Sequence, residues 1–162
     1  NELEITDALH QMLENNNKIT YHMITDYWKD TGTPEDVLHA NKEILEKIIG
    51  NFQGKKEGET IVSENSVIGK GSIIKGNSKI DNSVIIGENC IIDNASIGPN
   101  CSIGDNSIVI ASNIKNSIIM ENCKIEGNIS ITDSIIAKNS NIDSKGNKEK
   151  IFLLGEGTKI IL

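Results

Sequence analysis

From Ile61 to Ile142 an aliphatic residue returns about every sixth position, with polar residues between. Val62, Ile68, Ile74, Ile80, Ile86 and Ile92 open successive hexads. After a five-residue step, Ile97 and Ile103 keep the beat, which then runs less strictly through Ile114, Ile119, Ile125, Ile131, Ile136 and Ile142. Periodicity of this kind predicts a parallel β-helix.

The polar positions are ordered too. Two residues before each aliphatic position sits a small side chain: Ser66, Ser72, Ser78, Cys90, Ala95, Cys101, Ser107, Ser112, Ser117, Cys123, Ser134 and Ser140. Residues two apart in a strand share a face, so both ladders point inward. Before the small residue stands Asn or Gly in many hexads (Asn65, Gly71, Asn77, Asn89, Asn100, Asn106, Asn122, Asn139). These residue types accept the positive φ that a tight corner needs. Ile103 is expected as a fully inward rung and Ser102 as an outward one. Outward Ile73, Ile85, Ile91 and Ile108 make a surface more apolar than solvation requires.

The pattern changes before residue 61. Residues 1–17 read as a helix, with Thr6 as cap, Asp7 in the first turn and Leu9, Met12 and Leu13 as its apolar stripe. Lys18 to Met23 alternates as a strand would. A turn-rich connector follows at Tyr27–Thr33. A second helix then starts at Thr33 as N-cap, Pro34 in the first position and Asp36 in the third. Val37, Leu38, Ile44, Leu45, Ile48 and Ile49 form its buried face, and Gly50 is its stop. Residues 51–60 are polar and read as a linker. At the other end, residues 143–150 read as a loop, Leu154 to Ile160 as a last hexad, and Phe152 as a plug for the open end of the solenoid.

These residues carry two resemblances. The hexads resemble the left-handed parallel β-helix of hexapeptide-repeat proteins, which implies triangular coils of three hexads, about five over this stretch. The segments Leu3-Glu-Ile-Thr-Asp7, Tyr27-Trp-Lys-Asp-Thr-Gly-Thr-Pro-Glu-Asp36 and Leu38-His-Ala-Asn41 resemble the end of the catalytic domain of sugar-phosphate nucleotidyltransferases. The final Phe152-Leu-Leu-Gly-Glu-Gly-Thr-Lys-Ile160 resembles the tail of the long form that carries a β-helix. The resemblance is closest to the glucose-1-phosphate thymidylyltransferases, and uridylyl- and guanylyltransferases share parts of it.

Together they imply a mainly β chain. Residues 1–50 would be the small helical remnant of an α/β nucleotidyltransferase domain, 51–60 a linker and 61–162 the left-handed β-helix. Asp30, in the Trp-x-Asp-Thr-Gly motif, would be a ligand of catalytic Mg²⁺, an ion that prefers oxygen donors and bridges phosphates. The substrates implied are a nucleoside triphosphate and a sugar-1-phosphate. The family's Gly-rich nucleotide loop, its second metal aspartate and its sugar-phosphate lysine have no counterpart among these 162 residues. The chain, which opens at Asn1, is therefore expected to be an inactive C-terminal piece, with no catalytic residue of its own. Solenoids of this kind often associate, so a homo-oligomer is expected, with a trimer favoured.

Charge and composition narrow the partners. Net charge is −7 and the sequence contains no Arg, which disfavours nucleic acid and anionic membranes. No apolar run could span a bilayer, and no signal peptide opens the chain. The three cysteines, Cys90, Cys101 and Cys123, all fall on inward positions and read as reduced core residues of a cytoplasmic protein. Acyl transfer is the rival activity of hexapeptide solenoids. It needs a His base, and His10, His22 and His39 all precede the repeats. A purely structural or assembly role is the third possibility.

Overall fold

The computed structural model describes residues 4–143 and the strand backbones at 149–150, 153–154 and 159–161. Two helices come first, α1 (Ile5–Glu14) and α2 (Pro34–Leu45). Short parallel strands follow, and each pairs with the strand three elements later. Three sheets result, of seven, seven and six strands among the described residues. Sheet A runs through β1 (Asn51–Phe52), β4 (Ser66–Ile68), β7 (Val84–Ile86), β10 (Cys101–Ile103), β13 (Ile118–Ile119) and β16 (Ile135–Ile136). Sheet B includes β2 (Lys55–Glu57), β5 (Ile73–Lys75), β8 (Ile91–Asp93), β11 (Ile108–Ile110), β14 (Lys124–Glu126) and β17 (Asn141–Asp143). Sheet C includes β3 (Ile61–Val62), β6 (Lys79–Ile80), β9 (Ser96–Ile97), β12 (Asn113–Lys115) and β15 (Ser130–Thr132). One strand from each sheet makes a coil. The parallel β-helix predicted from the hexads is therefore present.

The two inward ladders hold throughout. The aliphatic rungs from Ile68 to Ile142 are buried, as is every one of the small residues named above. Val84 and Ile129 take the small position with larger side chains and are equally buried. The serines do more than fill space. Ser72 Oγ donates to the Gly87 carbonyl and accepts the Cys90 N–H from the next coil. Ser78, Ser107 and Ser117 likewise accept the N–H of Ala95, Cys123 and Ser134.

Corners follow the expected place more closely than the expected residue types. Positive φ occurs at Gly71, Asn89, Asn100, Asn106, Asn122 and Asn139, as read from the sequence, but not at Asn65 or Asn77. Beside Asn77 the turn is made by Gly76 at φ +68. Ser83, Asn94, Ala111, Asn116, Asn128 and Asp133 adopt it as well, each directly before an inward position.

Residues 51–60 are not a linker. Asn51 and Phe52 pair with Val67 and Ile68, and Lys55 to Glu57 pair with Ile73 to Lys75, so the first coil starts ten residues early. Here the inward positions belong to Phe52 and Lys56, in register with Ile68 and Ile74. The Lys56 ammonium stands 5.1 Å from the centre of the Phe52 ring. Both side chains are exposed at this first coil, an apolar body and a charged head that suit contact with water. The plug expected at Phe152 lies outside the described residues, as does most of the 143–150 loop.

The helices differ from expectation in instructive ways. In α1 the N-cap is Glu4 without a side-chain bond, Thr6 lies inside the helix, and Leu9, Met12 and Leu13 are exposed. Residues 18–23 form no strand. In α2 Thr33 caps the Asp36 N–H as expected, with Pro34 in the first position. Only Leu38 and Leu45 of its apolar set are buried, while Ile44 and Ile49 face solvent. The helix ends at Leu45, so Gly50 is not its stop. A Cβ at Gly50 would come within 1.6 Å of the Glu64 carbonyl oxygen, and glycine is needed there for close approach.

Candidate functional site

The connector 27–33 and α2 form one hydrogen-bonded unit around Asp30. Thr33 begins the helix, and Lys29 reaches Asp36 in its first turn at 2.8 Å. That bond, with the Thr33 hydroxyl second, holds the Asp36 carboxyl below its ordinary pKa, and Asp36 in turn raises Lys29. Tyr27 Oη bonds His39 Nδ1 at 3.1 Å, and the two rings stack. The Lys47 ammonium lies over the Tyr27 ring, 5.8 Å from its centre. Asp30 is thus displayed on a turn whose neighbours on both sides are tied to α2.

Alpha-2 in turn is fastened to the solenoid. Leu38, Asn41 and Leu45 fall on one helical face by their spacing. Leu38 and Leu45 are buried, and Asn41 between them grips sheet A. Its Nδ2 donates to the Asn100 carbonyl at 3.2 Å, and its Oδ1 accepts from Ser102 Oγ at 2.6 Å. Sequence reasoning placed Ser102 on the outer face but missed its partner. Asn41 appeared only within a motif, with no local signal of a contact 61 residues away.

Asp30 itself is exposed. No group of three or more His, Cys, Asp or Glu gathers to hold a metal among the described residues. Asp30 therefore offers one oxygen ligand, and these residues do not fit Mg²⁺ by themselves. The histidines form no base on the repeats: His10 pairs with exposed Glu14, His22 is exposed, and His39 is engaged by Tyr27. The cysteines are buried thiols. Burial pushes the Cys101 thiol up to about 12 and raises Cys90 and Cys123 above their usual range. None of them is a nucleophile at neutral pH. A shallow groove of about 310 Å³ on sheet C, lined by Ser96, Asn113, Lys115, Ser130 and Thr132, holds no acid–base pair.

The outward isoleucines divide between two faces. Ile85 pairs with Ser102 in sheet A, where α2 docks, whereas Ile73, Ile91 and Ile108 stack in sheet B beside Ile110. No helix among the described residues is long and apolar enough to cross a membrane.

Residues 1–47 match the nucleotidyl transferase family model, and residues 91–161 match that of the GMPPB C-terminal domain. The bifunctional protein GlmU of Methanococcus maripaludis is 43% identical over 77 residues, covering 48% of this chain and 18% of that protein. The glucose-1-phosphate thymidylyltransferase of Streptomyces antibioticus is 37% identical over 79 residues, covering 49% and 22%. The low-salt glycan biosynthesis nucleotidyltransferase Agl11 of Haloferax volcanii is 53% identical over 45 residues, covering 28% and 13%. The matched part spans about a fifth or less of the length of these relatives. A crystal structure of a putative acetyltransferase from Desulfovibrio desulfuricans G20 superposes with a TM-score of 0.56 at 16% identity, covering 75% of this chain and 30% of that one, a likeness of fold alone. A nucleotidyl transferase match over residues 1–47, ahead of a GMPPB C-terminal match over the hexapeptide solenoid, fits a nucleotidyltransferase that carries a C-terminal β-helix.

Proposed function

We propose that the chain is the C-terminal part of a sugar-1-phosphate nucleotidyltransferase, with dTTP and glucose-1-phosphate as substrates and dTDP-glucose and pyrophosphate as products. The observation that carries this reading is the exposed apolar surface of residues 4–28, which fall in the nucleotidyl transferase match. Ile5, Leu9, Met12, Leu13, Ile19, Tyr21, Met23, Ile24 and Trp28 are all solvent-exposed. Side chains of this kind need a partner. The remainder of an α/β nucleotidyl transferase domain is the partner that such a match supplies. UTP or GTP in place of dTTP is the nearest alternative within the class.

Mg²⁺ would neutralise phosphate charge as the sugar phosphate attacks the nucleotide. Asp30 is the one ligand this chain proposes for it. The 162 residues neither hold the ion nor turn over substrate unaided, because such transfer depends on positioning and charge neutralisation by a full set of groups. The solenoid serves assembly: its sheet B isoleucines pack against other copies, as a trimer in preference to other orders, in a soluble cytoplasmic enzyme. Acyl transfer is disfavoured because all three histidines lie outside the repeats.

The test is pyrophosphate release from dTTP or UTP with glucose-1-phosphate and Mg²⁺. A protein joining this chain to a complete nucleotidyl transferase domain should turn over, and Asp30→Ala should remove most of that activity with the solenoid intact. Turnover by the 162-residue chain that Asp30→Ala abolishes would overturn the reading. Faster turnover with UTP would replace the nucleotide and keep the class.

A further inference from the structure

Three facts about the Asp30 turn have no role in nucleotide chemistry. The turn is tied to α2 twice, by Lys29–Asp36 and Tyr27–His39. Alpha-2 touches the solenoid at β10, where Leu38 and Leu45 are buried on either side of Asn41. Asn41 uses both ends of its amide, one on the backbone of a corner and one on the side chain of a strand.

The two kinds of contact restrain different motions. Buried leucines hold α2 against sheet A, but an apolar contact is non-directional and permits sliding and rotation. A paired amide is directional: the donor must meet the Asn100 carbonyl and the acceptor must meet the Ser102 hydroxyl together. Asn100 sits in a positive-φ corner, and Ser102 lies on a strand paired on both sides, with β7 and β13. Both partners are therefore fixed points of the repeat.

We propose that Asn41 is a positioning residue: by gripping Asn100 and Ser102 it makes the β-helix the mount that fixes the Tyr27–Thr33 turn, and with it Asp30, relative to the solenoid. Its relevance to catalysis rests on the nucleotidyl-transfer reading; its mechanical part does not. The solenoid then acts on the catalytic side of the molecule as well as on assembly, since a copy packed on the repeats inherits a fixed placement of every Asp30 turn.

Trp28, the single tryptophan, lies in this turn and is 71% exposed, which makes it a reporter that needs no label. Time-resolved anisotropy of Trp28 in the 162-residue chain should follow the tumbling of the whole molecule. In Asn41→Ala and in Ser102→Ala the amplitude of the fast nanosecond component, typical of loop motion, should rise several-fold. Ser102→Thr, which keeps the hydroxyl, should stay as wild type. Ser102→Ala leaves the composition of α2 untouched, so loosening there cannot be blamed on a weaker helix. Far-UV circular dichroism checks that the repeats stay folded. Unchanged decays in both alanine variants, or a Thr variant as loose as the Ala one, would overturn the proposal. In the longer protein, Asn41→Ala should lower kcat with Ser102→Thr unaffected. Absence of turnover in wild type would sink the nucleotidyl-transfer reading and leave the anisotropy result standing.

Discussion

Ser72 Oγ lies 2.8 Å from the backbone nitrogen of Cys90, one coil further along, and 2.7 Å from the Gly87 carbonyl. A position that looks like a demand for small volume is thus a demand for a hydroxyl that both donates and accepts. Ser72→Ala keeps the volume and strands a buried N–H, which should cost about 1–3 kcal/mol. Ser96→Ala, on the outer face of sheet C, should cost about 0.5 kcal/mol or less. Urea midpoints of the two variants check this, and equal shifts would show that the ladder contributes only packing.

Ile103→Ala removes a fully buried rung that pairs with Ile86 and Ile119 above and below. A loss of about 2–5 kcal/mol is expected. Ser102 points outward, and position alone would make its truncation nearly silent. Its bond to Asn41 raises the expected cost of Ser102→Ala to about 1 kcal/mol. Chemical denaturation read by circular dichroism separates the two, and a silent Ser102→Ala would mean that the bond does not persist in solution.

The cysteines give the fold an alkaline limit. Cys101 is raised from 9.0 to about 12 by burial, so between these values the folded chain keeps a proton that the unfolded chain has lost. Stability is then full below about pH 9 and falls as pH rises toward 12, because the unfolded state binds fewer protons. Urea unfolding at pH 8 and pH 10.5 should show this loss, and Cys101→Ala should lessen it, with Cys90 and Cys123 supplying the remainder. A thiol reagent at pH 8 should label the native protein slowly and the denatured protein at all three cysteines.

The sheet B surface predicts the assembly. Lys55–Glu57, Lys75–Asp93 and Lys124–Glu126 are each internally paired, so the isoleucines between them are flanked by neutralised charge. Light scattering at micromolar concentration should give a multiple of 17.7 kDa. Ile91→Glu should shift the mass toward the monomer. A monomeric wild type would rule out association through this face.

The inward ladders were legible because strand alternation ties residue type to direction, and nothing competes with that rule from Ile68 to Ile142. The start of α2 was legible because Thr33, Pro34 and Asp36 act within one turn. The first coil was hidden because its inward positions are Phe52 and Lys56, residues suited to an open end and not to a core. Corners at Ser83, Ala111 and Asp133 were hidden because the stacked strands impose positive φ on whatever residue stands there. Asp30 was singled out by its motif, and its tie to the solenoid depends on an asparagine indistinguishable in sequence from its many neighbours.

The coils do not have equal lengths. The partner of Val67 one coil on is Ile85, 18 residues later, whereas that of Ser102 is Ile118, 16 residues later. Inward rungs stay aligned across both, so the difference is absorbed at corners. A single-residue insertion or deletion should therefore be tolerated at a bend and ruinous within a strand, where it would turn the buried face outward. Descent of this module can proceed by trimming corners or by duplicating entire coils. Each added coil meets the same neighbours as the last, and the distance between the two ends changes while the core chemistry does not.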